Sequence, residues 1–301
     1  MTTPRPLSRG VRPVTLDGDG ITLSALLREP DDGPRATVVA LHGAGMCARY
    51  FDGQAHPDLS LLALGARLGF TVLAVDRPGY GRSAAALPDG RPLADQARVL
   101  RAALGDFAAR YATGAGLFLL GHSFGGKVAL VAAADHAPPS LLGVDVSGCG
   151  HRYAGPAEDV SALAALLGRA GRRRNWGPLA LYPPGTFLGG DAVVAATPAR
   201  ERTAAARWPE VYAGLAPRVR VPVRFTFAEH EAWWRHGAAD VADLRARLTA
   251  APRVVVDRQP GAGHNISMGW AARAYHLRAL AFFEECLAPH RADRRERAGL
   301  P

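Results

Sequence analysis

The chain has 301 residues, 48% of them hydrophobic, which is enough to bury a full core; the length suits one large α/β domain with an insertion better than two independent domains. Its formal charge is +9, yet Lys127 is the sole lysine, the arginines are spread along the chain and no aromatic-interleaved basic motif accompanies them, which argues against nucleic-acid binding. No apolar run approaches the length of a membrane span and "MTTPRPLSRG" lacks the apolar core of a signal peptide, so no membrane partner and a cytoplasmic location are expected.

In chain order, "VTLDGDGITLSALLREP" alternates around an Asp-Gly pair and reads as a hairpin at one edge of a sheet. "ATVVALHG" is a continuous apolar strand ending at Gly43, "LSLLALGARLG" carries leucines at helical spacing, and "GFTVLAVDRPG" is the next buried strand. After Pro92, Leu100, Leu104, Phe107 and Tyr111 recur at three- and four-residue steps, marking an amphipathic helix. "GLFLLGHS" is a strand, "FGGKVALVAAADH" a helix and "SLLGVDVSG" a strand. From about Gly150 to Val221 the alternation fails, with a helical run at "DVSALAALLGRA" and the turn-rich "NWGPLALYPPGTFLGG". "VPVRFTFA" and "PRVVVDRQ" are late strands, each followed by helical sequence. Strands apolar on both faces that alternate with helices imply a parallel sheet wrapped by helices on each side.

Cys47, Cys149 and Cys286 are odd in number, far apart and form no C-x-x-C pair; they read as buried free thiols. "HEAWWRH" would need a histidine where Trp234 stands to be a zinc-binding helix, and no phosphate-binding loop pattern occurs. No metal or cofactor is therefore implied. The basic runs "GRRR" and "HRADRRER" read as solvated faces, although Arg172, Arg173 and Arg174 suit an anionic substrate or an acyl-carrier partner.

Gly121, Ser123 and Gly125 make G-x-S-x-G at a strand-to-helix junction, the setting of a nucleophile elbow. A tight turn there exposes the serine oxygen, small residues on either side prevent clashes, and the helix N-terminus aims free N–H groups at a forming oxyanion.

With these residues the chain resembles the α/β-hydrolase family, and further segments match in order. The resemblance implies an α/β-hydrolase fold with a mostly parallel eight-stranded sheet flanked by helices. Residues 1–150 and 222–301 would form the core, the latter ending in a basic tail, and 151–221 a helical cap over the serine. "LHGAG" at 41–45 matches the oxyanion loop, which assigns the donors to the backbone N–H groups of Ala44 and Phe124. "DRPGYGRS" matches the loop after the fourth strand, where Asp76 reads as a loop-fixing carboxylate. His264 in "GAGHNIS" matches the catalytic base and completes the order Ser, acid, His; His42 and His122 are weaker bases, the former a brace for the oxyanion loop. Glu231 aligns with the acid, with Glu for Asp and Ala228 for the usual glycine. Asp145 is the alternative acid, and Glu229 and Asp240 remain open.

In the cap, Trp176, Leu179, Leu181, Tyr182, Phe187 and Trp208 are apolar enough to line a pocket or to pack the cap on the core. His42, Trp233 and Trp234 are further pocket candidates. The implied activity is serine-dependent hydrolysis of an ester, thioester or related small-molecule acyl compound, free or carrier-linked, through an acyl-enzyme. A lyase or acyltransferase of specialised metabolism is the alternative, and a non-catalytic ligand-binding member the third reading.

Overall fold

The computed structural model describes residues 6–138, 140–155, 169–188 and 192–297, with backbone alone for 169–172 and 289–297. Most of the predicted helical run at 159–170 lies outside the described residues.

Eight strands form one sheet: β1 (Arg12–Asp17), β2 (Thr22–Arg28), β3 (Ala36–Leu41), β4 (Phe70–Val75), β5 (Leu117–His122), β6 (Leu141–Ser147), β7 (Val223–His230) and β8 (Val254–Gly263). Their spatial order is β1-β2-β4-β3-β5-β6-β7-β8. The β1–β2 hairpin turns through Asp19 and Gly20, at φ 60° and 78°, and β2 lies antiparallel on β4; every other neighbouring pair is parallel. The described helices are α1 (Leu61–Arg67), α2 (Leu93–Arg110), α3 (Phe124–Asp135), α4 (Arg169–Trp176), α5 (Gly185–Leu188), α6 (Ala199–Ala206), α7 (Trp208–Leu215), α8 (Ala238–Arg247) and α9 (Ala272–Arg297).

The strand period of two sends alternate side chains to opposite layers. In β3, Val39 and Leu41 join the cluster built with α2, α3 and α7, whereas Ala36, Val38 and Ala40 join the cluster built with α1 and α9. β4 divides in the same way, with Leu73 and Val75 on one face and Phe70, Val72 and Ala74 on the other. This is why the central strands read as unbroken apolar runs: both faces are covered by helices.

One ion pair is built into the sheet itself. Arg224 on β7 stands opposite Asp145 on β6 and donates to it at 2.6 Å, while Tyr275 on α9 donates to the other Asp145 oxygen at 2.7 Å. The cysteines are free; Cys149 and Cys286 are buried, but Cys47 is only half-buried and donates to the Ala192 carbonyl at 3.3 Å. Between β6 and β7 the described residues contain helices and isolated bridges but no strand. Among the described residues no helix is long and apolar enough to cross a membrane.

Candidate active site

Four loops meet at the carboxyl ends of parallel strands, where open α/β sheets present their sites. β3 delivers the Gly43–Met46 loop, β5 delivers Ser123, β7 delivers Glu231 and β8 delivers His264.

Ser123 has φ 52° and ψ −115°, a backbone region that costs a non-glycine residue about 1–3 kcal/mol. Its neighbours over-determine the turn. The Ser123 N–H donates to the Ser147 carbonyl at 2.8 Å, and its own carbonyl accepts from Gly126 N–H at 3.0 Å. A Cβ on Gly121 would stand 2.6 Å from the Gly125 carbonyl, and one on Gly125 would stand 2.6 Å from the His42 carbonyl. Glycine at these positions lets the elbow, helix α3 and the β3 loop come together. Phe124 opens α3, so its N–H has no intrahelical acceptor. Ala44 is exposed on the facing loop, and a Cβ on its neighbour Gly43 would lie 3.2 Å from Ser123 Cβ.

The three side chains form one hydrogen-bonded line. His264 Nε2 is 3.1 Å from Ser123 Oγ, and His264 Nδ1 is 2.9 and 3.1 Å from the two Glu231 oxygens. Burial pushes the Glu231 carboxyl up, but the adjacent His264 imidazole and the Trp233 N–H, which donates at 2.9 Å, hold it below its usual value. Gly148 (φ 57°) makes room for the imidazole, because a Cβ there would stand 2.9 Å from His264 Cε1. This glycine carries no sequence signal beyond its place after a strand.

Every other acid candidate is engaged elsewhere. Asp145, the alternative acid, has both oxygens taken by Arg224 and Tyr275. Glu229 is exposed and accepts the Gly261 N–H at 2.8 Å, and Asp240 pairs with Arg152 at 3.7 Å. Asp76 accepts from Ala48 N–H and Ser24 Oγ, both at 2.7 Å, tying the turn that follows the Gly43–Met46 loop to β2.

Two pocket expectations need correction. His42 is fully buried: its Nε2 accepts the Arg77 N–H at 3.2 Å and its ring lies edge-on to Tyr80, so it braces the loop from beneath. Trp234 points into the core, donating from Nε1 to the Gly148 carbonyl at 2.8 Å and stacking on Tyr153 at 4.2 Å. Trp208 is also core, its Nε1 bonded to the Gly150 carbonyl at 2.7 Å. His122 is buried against Tyr50, its ring 4.9 Å from that of His264, and burial holds both His42 and His122 far below the ordinary imidazole range.

Trp233 is half-buried with its ring 6.4 Å from the His264 ring, and it donates from Nε1 to Asn175 Oδ1 at 2.9 Å. The Arg174 guanidinium lies 5.5 Å from the same indole. Trp176, Tyr182 and Phe187 pack edge-on against one another; Tyr182 is buried and Phe187 exposed. The Trp176–Tyr182 segment rests on the β8 loop, where a Cβ on Gly263 would meet the Trp176 carbonyl at 2.5 Å.

Sequence reasoning passed over Lys127. Its ammonium donates to Tyr153 Oη at 2.8 Å and sits 5.3–5.5 Å from the rings of Phe124, Tyr153, Trp208 and Trp234. Burial pushes it down to about 8.

A family model described as alpha/beta hydrolase matches residues 38–280. Among solved structures, a highly thermostable carboxyl esterase from Bacillus coagulans superposes with a TM-score of 0.68 at 16% identity, covering 93% of this chain and 100% of its own. A putative lipase from Acinetobacter baumannii AYE gives 0.66 at 16%, covering 92% of each chain. E-2-(acetamidomethylene)succinate hydrolase gives 0.63 at 22%, covering 91% of this chain and 99% of its own. No sequence among curated proteins matches.

Proposed function

The chain belongs to the alpha/beta hydrolase family, and from that premise we propose that it is a serine hydrolase acting on the acyl carbonyl of an ester, thioester or related small molecule. The single observation that carries this reading is the continuous line Ser123 Oγ, His264 Nε2, His264 Nδ1, Glu231, with each link between 2.9 and 3.1 Å.

In the first step Ser123 Oγ attacks the acyl carbon while its proton passes to His264 Nε2; the carbonyl π electrons move to oxygen, which is held by the N–H groups of Ala44 and Phe124. Glu231 keeps the Nδ1 proton in place and stabilises the imidazolium. Collapse of the tetrahedral adduct re-forms the carbonyl and breaks the bond to the leaving alcohol or thiol, which takes the proton from His264. Water then repeats the sequence on the acyl-enzyme: its proton goes to His264, its oxygen stays on the acid, and Ser123 Oγ recovers the proton.

Residues 151–221 serve as a cap in this reading. Half-buried Trp233, its ring 6.4 Å from that of His264, supplies an aromatic wall suited to an acyl chain, with the Arg174 guanidinium 5.5 Å from the same indole. The structural neighbours described as esterase, lipase and hydrolase are consistent with acyl-carbonyl chemistry.

Intact-mass measurement after treatment with an alkyl fluorophosphonate tests the proposal. One adduct on the wild type, absent from Ser123→Ala and slowed in His264→Ala, is the expected result. A folded wild type that stays unlabelled would overturn it.

A further inference from the structure

A second buried polar cluster lies beneath the Gly43–Met46 loop, and no step of the proposed reaction uses it. Its centre is Arg77, just past β4. The guanidinium donates from Nε to the His42 carbonyl at 2.9 Å, from Nη2 to the Gly43 carbonyl at 3.2 Å, and from Nη1 to Gln96 Oε1 at 2.8 Å. Both ends of its fork also meet Glu201, Nη2 to Oε2 at 3.1 Å and Nη1 to Oε1 in a shorter contact. Arg77 and Glu201 are each 1% exposed.

Glu201 belongs to helix α6, in the segment between β6 and β7, 124 residues from Arg77. Its Oε2 also accepts from Tyr80 Oη at 2.7 Å, and that hydroxyl in turn accepts the Gly45 N–H at 3.1 Å. The same segment grips the loop directly. Met46 bridges to Val194, Ala195 N–H donates to the Gly45 carbonyl at 2.9 Å, and Gly45 (φ 71°) leaves room for Thr197, whose Oγ1 a Cβ would meet at 2.9 Å. Ala44 therefore stands between two residues whose backbones are held, Gly43 through Arg77 and Gly45 through Tyr80 and Ala195.

A buried ion pair is a weak source of net stability, because the desolvation of two charges offsets their attraction. Geometry gives this pair a different use. An oxyanion donor serves only if its N–H already points at the place where charge will develop, and misplacement by about 1 Å can cost about 10²-fold.

We propose that Glu201, acting through Arg77 and Tyr80, is a positioning residue for the oxyanion loop, so that the Ala44 N–H takes its donor orientation only while the segment carrying Glu201 is seated on the core. The inference rests on the reading of Ala44 as an oxyanion donor. It makes that segment a part of the catalytic apparatus as well as a wall of the pocket, because a substrate that unseats α6 also withdraws the donor.

The test uses Glu201→Gln, the milder Tyr80→Phe, and the double variant Arg77→Met with Glu201→Met, which leaves no unpaired buried charge. Each is followed by melting temperature, by the rate of fluorophosphonate labelling of Ser123, and by kcat and KM on a short-chain p-nitrophenyl ester. Labelling and kcat should fall about tenfold to a hundredfold in Glu201→Gln and less in Tyr80→Phe, with KM changed less than about threefold. The double variant should melt near the wild type yet stay as slow as Glu201→Gln. A double variant that regains wild-type rates would overturn the inference, since the pair would then only neutralise itself. A Tyr80→Phe variant with unchanged kcat and a proportionate rise in KM would overturn it too. In both cases a labelled wild type leaves the serine hydrolase reading intact; an unlabelled wild type removes that reading and this inference together.

Discussion

Glu231 meets His264 through both carboxylate oxygens, 2.9 and 3.1 Å from Nδ1, although it is one methylene longer than the aspartate common at such positions. At the end of β7 the ladder to β8 shifts register between Ala228 and His230, and the Glu231 N–H turns back to the Ala228 carbonyl at 3.2 Å. Glu231→Gln should place an amide N–H against the Nδ1 proton and favour the wrong tautomer. The expected loss in kcat is about 10³–10⁴-fold with little change in melting temperature, measured on purified protein with an activated ester.

Asp145 behaves differently. Asp145→Asn leaves Arg224 buried without its full partner and should cost about 3–5 kcal/mol of stability, while kcat per folded molecule stays near the wild-type value. Denaturant unfolding paired with active-site titration separates the two effects. A collapse of kcat in a protein of undiminished stability would make Asp145, and not Glu231, the working acid.

Gly148→Ala puts a methyl group where His264 Cε1 and Nδ1 lie at 2.9 and 3.0 Å, on a residue whose φ of 57° already disfavours a side chain. The imidazole should move away from Ser123, lowering kcat about 10–100-fold. Nuclear magnetic resonance of the His264 ring nitrogens would report the displacement.

Lys127 sets a pH dependence of stability. Burial holds its ammonium down to about 8 in the fold, against about 10.5 for a lysine open to water in the unfolded chain. Between those values the unfolded chain binds more protons, so this group's contribution to unfolding free energy rises with pH; below about 8 the whole penalty is present. The shift corresponds to about 3 kcal/mol at most, which the surrounding rings and the Tyr153 hydroxyl offset in part. Relative to Lys127→Met, the wild type should gain stability from about pH 8 to pH 10.5 and show no relative change below that window. Urea midpoints for both proteins across the range check it.

Hydrolysis in H₂¹⁸O should place the label in the released acid and none in the alcohol. Label in the alcohol, or release of an alkene, would show alkyl–oxygen cleavage and redirect the search toward elimination.

The elbow and the order of strands and helices were legible along the chain because each is written in a short window, whereas His264 became a candidate partner of Ser123 through the family resemblance of "GAGHNIS". Gly121-His122-Ser123-Phe124-Gly125 needs only a strand before it and a helix after it, and two-sided burial of β3, β4 and β5 appears as unbroken apolar runs. Which of Glu231, Asp145, Glu229 and Asp240 contacts His264 depends instead on where side chains point beyond the strand ends, and only the tertiary structure brings Glu231 to Nδ1. Trp234 and Trp233 are adjacent and chemically alike, yet one supports the core and the other stands beside His264, because the bend at Trp233 and the bridge of Trp234 to Tyr153 fix their directions only in the folded chain. The contact between Arg77 and Glu201 had no local signature, since a carboxylate 124 residues away announces itself only when the fold brings the two together and removes the water between them.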